Sequence, residues 1–88
     1  MRVKHGFVMR QLGEEYVVVP VGAEVEQFQG MLRLNEAGAF LWKRLQTGIS
    51  EAGLCQALQD EYDVSEEKAA GDLEKFINIL KEEGLLEL

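Results

Sequence analysis

Few side chains in this sequence have the chemistry that catalysis or metal binding needs. His5 is the only histidine and Cys55 the only cysteine. A metal site needs three or four ligands, and no His, Cys and Asp cluster has such spacing. A phosphate-binding glycine loop and a GxSxG nucleophile motif are also missing. We therefore expect a protein that is not an enzyme, with no metal and no cofactor, in which His5 lies exposed in a flexible tail and Cys55 is an inert, buried thiol.

Peptide binding is the chemistry that the sequence can supply. The run GMLRL at residues 30–34 predicts the last strand of a small sheet. An open strand edge presents unpaired N–H and C=O groups, which an extended peptide can complete as an added strand. A helix packed beside this edge would turn it into a cleft.

The last predicted helix carries one apolar residue that does not fit its buried stripe. Ile79 lies off the stripe and near Asp72, Lys75 and Glu83. Phe76 lies at the border of the stripe. Ile79 is either a single exposed apolar residue, which is common on protein surfaces, or an apolar contact for a bound peptide. The residues alone leave these two interpretations open.

The elements that would position this cleft follow from the hydrophobic periodicity, which changes near residue 35. Short alternating or β-branched runs predict three strands, at about 6–12, 15–21 and 30–34. Apolar residues at helical spacing then predict three helices, at about 36–46, 51–61 and 66–83. The fold class is therefore α+β, with a three-stranded antiparallel sheet followed by three helices in a winged helix-turn-helix-like arrangement.

The same capping device precedes each predicted helix. Asn35, Ser50 and Ser65 each offer a side-chain oxygen to an unpaired amide of the first helical turn. An acidic residue follows each of them directly, where it is favourable against the helix dipole. Gly48 and Gly84 are expected to end the first and third helices.

Length, composition and charge limit the class of protein and its partners. The chain has 88 residues, which predicts a single domain over residues 1–88, and a net charge of −7. An acidic chain disfavours nucleic acid and anionic membranes as partners. No apolar run approaches the roughly 20 residues that a membrane span needs. A single cysteine excludes an internal disulfide, and we expect a cytoplasmic protein.

Two other functions remain open at this point. A winged helix-turn-helix could be a transcriptional regulator, but the span 66–83 holds six acidic residues against three lysines, which opposes docking on DNA. A structural module could use the same open edge to pair with a second copy and form a homodimer.

Two segments resemble a known family. The first, MLRLNEAGAFLWKRL at 31–45, combines an apolar strand, Leu-Asn-Glu, a small residue, Gly and a bulky apolar helix. The second, at 54–86, has an EYDV-type turn, a long helix with the acid–apolar pair Asp72-Leu73, and a closing Gly-Leu-Leu. In these motifs the chain resembles the PqqD family, also called the RiPP recognition element. The residues that fit the first motif are Leu34, Asn35, Glu36, Ala37, Gly38, Ala39 and Trp42.

The resemblance implies a noncatalytic, winged-helix-like adaptor. Such domains bind the leader region of a ribosomally made precursor peptide and present its core to a modifying enzyme, often a radical SAM protein, a cyclodehydratase or a leader peptidase. This chain would need that enzyme in trans. In the family the leader adds beside the third strand and lies against the third helix. Carried over, the peptide-binding residues are Gly30, Met31, Leu32, Arg33, Leu34, Asp72, Phe76 and Ile79. Arg33 is then either a partner for an acidic leader residue or a solvated strand arginine.

Overall fold

The computed structural model describes residues 1–22 and 31–87. Along the chain lie strands β1 (Arg2–Val3), β2 (Phe7–Leu12), β3 (Glu15–Pro20) and β4 (Leu32–Leu34), helices α1 (Glu36–Gln46), α2 (Glu51–Tyr62) and α3 (Glu66–Glu82), and strand β5 (Leu86–Glu87). The expected α+β order of three antiparallel strands followed by three helices is confirmed. The predicted third strand began at Gly30, which lies outside the described residues.

The main sheet has the order β2-β3-β4, and both pairings are antiparallel. Gly13, with φ +65°, allows the tight turn between β2 and β3, because a positive φ is unfavourable for residues with a Cβ. The register of β4 pairs Leu34 with Tyr16 and Leu32 with Val18. Leu34 is buried and Arg33 is exposed, as the alternation of side chains along a strand requires.

The three helices begin at the predicted caps. The Asn35 side chain accepts a hydrogen bond from the Gly38 amide at 2.7 Å, Ser50 from Gly53 at 3.0 Å, and Ser65 from Lys68 at 3.2 Å. Each bond satisfies one of the amides that a helix start leaves unpaired. The caps therefore fix where α1, α2 and α3 start relative to β4 and to one another.

The core lies where the helices meet one face of the main sheet. Fully buried side chains come from every layer, including Val18 of β3, Trp42 and Leu45 of α1, Leu54 of α2 and Leu80 of α3. Burial of this apolar surface is the main favourable term in folding. It also holds α3 in place next to α1 and α2.

A second, two-stranded sheet joins the two ends of the described chain. Arg2 pairs with Glu87 and Val3 with Leu86, and the Lys4 amide donates to the Leu85 carbonyl at 2.8 Å. The prediction of a flexible tail here is wrong for Arg2 and Val3, which form a strand. Strands of two residues are too short to show a periodic pattern, and their pairing depends on contacts between distant parts of the chain.

Candidate functional site: a groove between β4 and α3

An open groove of about 530 Å³ lies between β4 and α3. Its remaining walls come from the first half of α1, the last turns of α2 and the loop between α2 and α3. The α3 wall carries Lys68, Asp72, Lys75 and Ile79, which recur at intervals of three or four residues and so share one helix face.

The strand edge beside this groove has no strand partner among the described residues. β3 pairs with one side of β4, and no described strand pairs with the other side. In antiparallel pairing, alternate residues direct their backbone N–H and C=O groups away from the neighbouring strand. The outer edge of β4 can therefore accept the backbone of an extended chain.

The floor of the groove is apolar. Leu34, Leu41, Leu58, Ala69 and Phe76 all line it and are nearly or completely buried. An inserted apolar side chain would contact carbon atoms on several sides here. Such contacts and the loss of water favour binding by roughly 1.5–3 kcal/mol for each fully buried aliphatic or aromatic side chain.

Gly38 allows α1 to approach this floor closely. A Cβ at this position would lie 3.3 Å from the Leu34 Cβ and 3.4 Å from the Phe76 Cε1. It would also lie 3.2 Å from the Asn35 Oδ1, the atom that caps α1. The role of Gly38 is therefore close packing between α1, β4 and α3.

Exposed apolar side chains lie at or near the rim. Ile79 is 43% exposed and lines the groove, while Met31 is 53% exposed and precedes β4 directly. A large apolar residue in water is individually common. At the rim of an apolar groove beside an open strand edge, Ile79 extends the surface that a bound chain would cover.

The structure brings together five of the eight residues expected in the site: Arg33, Leu34, Asp72, Phe76 and Ile79 all line the groove. Leu32 is half-buried and packs against the core, and Met31 is exposed but is not a lining residue. Gly30 lies outside the described residues.

Lys68, Lys75 and Tyr62 also line the groove, although they were not among the predicted site residues. Lys68 precedes Asp72 by four positions and Lys75 by seven, and this helical spacing was a usable signal. Tyr62 had no such signal, because it reaches the groove only through the packing of the end of α2 against α1.

The charged lining residues are Arg33, Lys68, Asp72 and Lys75. The Lys68 Nζ lies 2.9 Å from the Asp72 Oδ2, and the Arg33 Nη1 lies 3.8 Å from the Glu15 Oε1. Both ion pairs are largely exposed, so each contributes little to stability. Lys75 forms no ion pair with any residue in the described part of the chain.

An aromatic cluster surrounds Tyr62, which lines the groove at the end of α2. The rings of Phe40 and Tyr62 meet edge to face with centroids 5.7 Å apart, and the Arg44 guanidinium lies 4.4 Å from the Phe40 ring centroid. Burial, followed by the negative charges of Glu36 and Glu61, raises the pKa of the Tyr62 phenol above its usual value. Tyr62 is therefore a neutral hydrogen-bonding group at physiological pH.

The described residues also bear on the sequence predictions for metal ligands, for Cys55 and for membrane-spanning helices. Across residues 1–22 and 31–87, no three His, Cys, Asp or Glu side chains are grouped as metal ligands. Cys55 is half-buried rather than fully buried, and its Sγ lies 3.8 Å from the Gln59 Oε1. None of the helices in this part of the chain is long and apolar enough to cross a membrane. The open edge of β4 and the apolar floor beside it suit the groove to an extended, partly apolar chain.

Comparison with known proteins gives one family and two solved structures. The family model described as coenzyme PQQ synthesis protein D (PqqD) matches residues 15–86. A structure described as TbiB1 in complex with the TbiA(beta) leader peptide is 23% identical, with a TM-score of 0.79, over 99% of this chain and 95% of the other. A lasso peptide synthetase B1 complexed with the leader peptide is 26% identical, with a TM-score of 0.75, over 96% and 93%. No curated protein matches the chain significantly.

Proposed function

This chain belongs to the PqqD family, and we propose that it is a noncatalytic adaptor that binds the leader of a ribosomally made precursor peptide. The leader would add as a strand to the outer edge of β4 and lie against α3. The observation that carries this proposal is an open strand edge that faces an apolar groove. Further support comes from the 26% identical lasso peptide synthetase B1, whose structure holds a leader peptide.

The energetics explain why the groove matters more than the strand edge. β4 has only three residues, so an added strand would make about three or four backbone hydrogen bonds, each worth about 0.5–1.5 kcal/mol net. Ordering a flexible peptide costs about 2–5 kcal/mol, which nearly cancels this gain. Micromolar affinity needs about −8 kcal/mol. Two or three apolar leader side chains buried on the groove floor would supply the difference.

We assign the binding roles by position. Leu34 and Phe76 would form the floor under an apolar leader side chain, and Ile79 would cover it from the rim. Met31, which directly precedes β4, would extend the edge that the leader follows. Leu32 would contribute through its backbone, since its side chain packs against the core.

The adaptor needs a second partner, because binding alone modifies nothing. We propose that a peptide-modifying enzyme, such as a radical SAM protein, acts in trans on the core that follows the bound leader. The reaction would take place in the cytoplasm, where precursor peptides are made. The chemistry of that enzyme is not encoded in the groove, which would recognise only the leader.

The test is titration of the full-length protein with synthetic leader peptides from short open reading frames next to its gene. Wild-type protein should bind one of them with micromolar affinity, and Ile79→Asp should weaken that binding at least 30-fold, because it places a charge where an apolar contact is needed. Leu12→Asp is the matched control: Leu12 is 58% exposed but lies in β2 and outside the groove. It should bind like the wild type.

Equal affinity of wild type and Ile79→Asp would reject this groove as the site. Two rival functions would give their own results in the same preparation. Retention on double-stranded DNA at low salt would favour a transcriptional regulator. Sedimentation that changes with concentration, and that Ile79→Asp abolishes, would favour pairing of two copies through the β4 edge.

A further inference from the structure

The charge of the groove is opposite in sign to the charge of the whole chain. The chain has a net charge of −7, with sixteen acidic residues against nine basic ones. Among the charged residues that line the groove in the described part of the chain, Arg33, Lys68 and Lys75 are basic and Asp72 is the only acid. A local excess of one sign beside a binding surface attracts ligand groups of the other sign.

Existing ion pairs leave this excess concentrated at Lys75. The Asp72 carboxylate is occupied by the Lys68 ammonium at 2.9 Å, so these two charges compensate each other. Arg33 has a partner in Glu15, at 3.8 Å, and both side chains are exposed to water. Lys75 lacks an ion-pair partner within the described part of the chain.

We propose, as a deepening of the proposed peptide-binding function on which it rests, that the groove selects leader segments in which an acidic side chain lies two sequence positions from an apolar side chain. Lys75 binds the carboxylate, while Ile79 and the groove floor take the apolar side chain. Arg33, on the opposite wall, contributes to the same positive field.

The spacing follows from the geometry of the two elements. Lys75 and Ile79 are four residues apart on α3, which is about 6 Å along a helix axis. A strand advances about 6.6 Å over two residues, and residues two apart share one face. A leader strand that lies against α3 can therefore place an acid at Lys75 and an apolar side chain at Ile79 when a single residue separates them.

The test uses a phage-displayed library of random 12-residue peptides, selected on the immobilised full-length protein. The peptides to analyse are those that Ile79→Ser no longer binds, since these contact the apolar rim of the groove and the serine adds no charge four residues from Lys75. We expect these peptides to share an Asp or Glu two sequence positions from a bulky apolar residue. Replacing that acid by its amide should weaken binding 5- to 10-fold.

A double-mutant cycle then assigns the carboxylate contact to Lys75. Lys75→Gln should weaken binding of the acidic peptide 5- to 10-fold, with little further loss when the peptide carries the amide. Asp72→Asn should strengthen binding about 2- to 3-fold, because it releases Lys68. The matched control is Lys81→Gln, which changes an exposed lysine of α3 outside the groove and should have no effect.

The outcomes separate this inference from the function it rests on. Groove-binding peptides without an acidic preference, or equal losses for the acidic and amide peptides with Lys75→Gln, would overturn the charge selection and leave peptide binding intact. If the selection yields no peptide that depends on Ile79, both the charge selection and the proposed groove function are wrong.

Discussion

The β1–β5 sheet and the outer edge of β4 both consist of very short strands, but in the described part of the chain only the first is paired. We call the β1–β5 sheet the terminal seam. At the terminal seam, β1 pairs with β5, the Lys4 amide donates to the Leu85 carbonyl, and the Ile49 amide donates to the Met1 carbonyl at 3.0 Å. Leu85 beside this seam is completely buried. The backbone groups at the seam are thus used for stability.

The outer edge of β4 is the opposite case. β4 has three residues, one more than each seam strand, and no described strand pairs with its outer edge. The groove beside this edge is lined by buried apolar residues and by the partly exposed Ile79. Strand length therefore does not decide whether an edge contributes to folding or to binding. The two edges differ in whether another part of the described chain pairs with them. Changes at the seam should therefore alter stability alone, and changes at the groove rim should alter binding alone.

The largest expected effect is at the seam. Leu85→Ala removes a fully buried side chain, and such truncations cost about 2–5 kcal/mol because they leave a cavity. The free energy of unfolding, measured by urea denaturation, should fall by that amount. Leader affinity of the folded protein should stay within twofold of the wild type.

Leu12→Ala is the control for this prediction, since Leu12 is mostly exposed and its truncation should change the free energy of unfolding by less than about 0.5 kcal/mol. A large loss of leader affinity in folded Leu85→Ala would show that the seam and the groove are coupled. The simple division between the two regions would then be wrong.

A smaller effect is expected from a pair of glycines. Gly48 ends α1 next to the seam with φ +84°, a conformation that costs a residue with a Cβ about 1–2 kcal/mol. The Cβ itself would meet only the flexible end of Arg2, 3.2 Å away. Gly48→Ala should therefore lower the free energy of unfolding by about 1–2 kcal/mol, measured by urea denaturation.

Gly71 provides the matched comparison, with the opposite sign. It lies within α3, is exposed, and has no atom within 4 Å of an added Cβ. Gly71→Ala should raise the free energy of unfolding by about 0.5–1 kcal/mol, because alanine is the better helix former. Leader affinity should be unchanged in both variants, since neither glycine lines the groove. Destabilisation by Gly71→Ala would contradict the open position assigned to it.

The regular parts of the fold could be predicted from the sequence because their signals are local. The caps at Asn35, Ser50 and Ser65 and the apolar stripes of the helices involve residues within a few positions of one another. The terminal seam could not be predicted, since Val3 and Leu86 are at opposite ends of the chain and each strand has two residues.

The candidate site was predictable in outline only. The alternation along β4 correctly places Arg33 and Leu34 on opposite faces, and the position of Ile79 off the buried stripe marks the rim. The contribution of Tyr62 depends on how α2 packs against α1, which no local pattern contains. The charge of the groove was also hidden, because α3 as a whole is acidic, while two of its three lysines, Lys68 and Lys75, line the groove.

The smallest expected effect is a change in the titration of Tyr62, which lines the groove at the end of α2. The pKa of this phenol is raised above 10.0, chiefly by burial. The unfolded chain therefore loses this proton at a lower pH than the folded protein does. Well below pH 10 the phenol is protonated in both states, and the free energy of unfolding does not depend on its titration. As the pH rises through the folded pKa, the free energy of unfolding falls. Tyr62→Phe should flatten this loss in urea denaturation above pH 10.

The Tyr62 phenol can also report whether a bound leader reaches the end of the groove that α2 lines. Tyr16→Phe leaves Tyr62 as the only tyrosine, so absorbance at 295 nm follows its ionisation alone. A leader that fills the groove removes water from the phenol, and because burial disfavours the phenolate, the pKa of Tyr62 should rise further on binding. The matched variant is Tyr16→Phe with Ile79→Asp, in which added leader should leave the titration unchanged. If saturating leader leaves the pKa of Tyr62 in Tyr16→Phe unchanged, the leader occupies only the end of the groove near β4 and Ile79. The leader-binding surface would then be shorter than the groove.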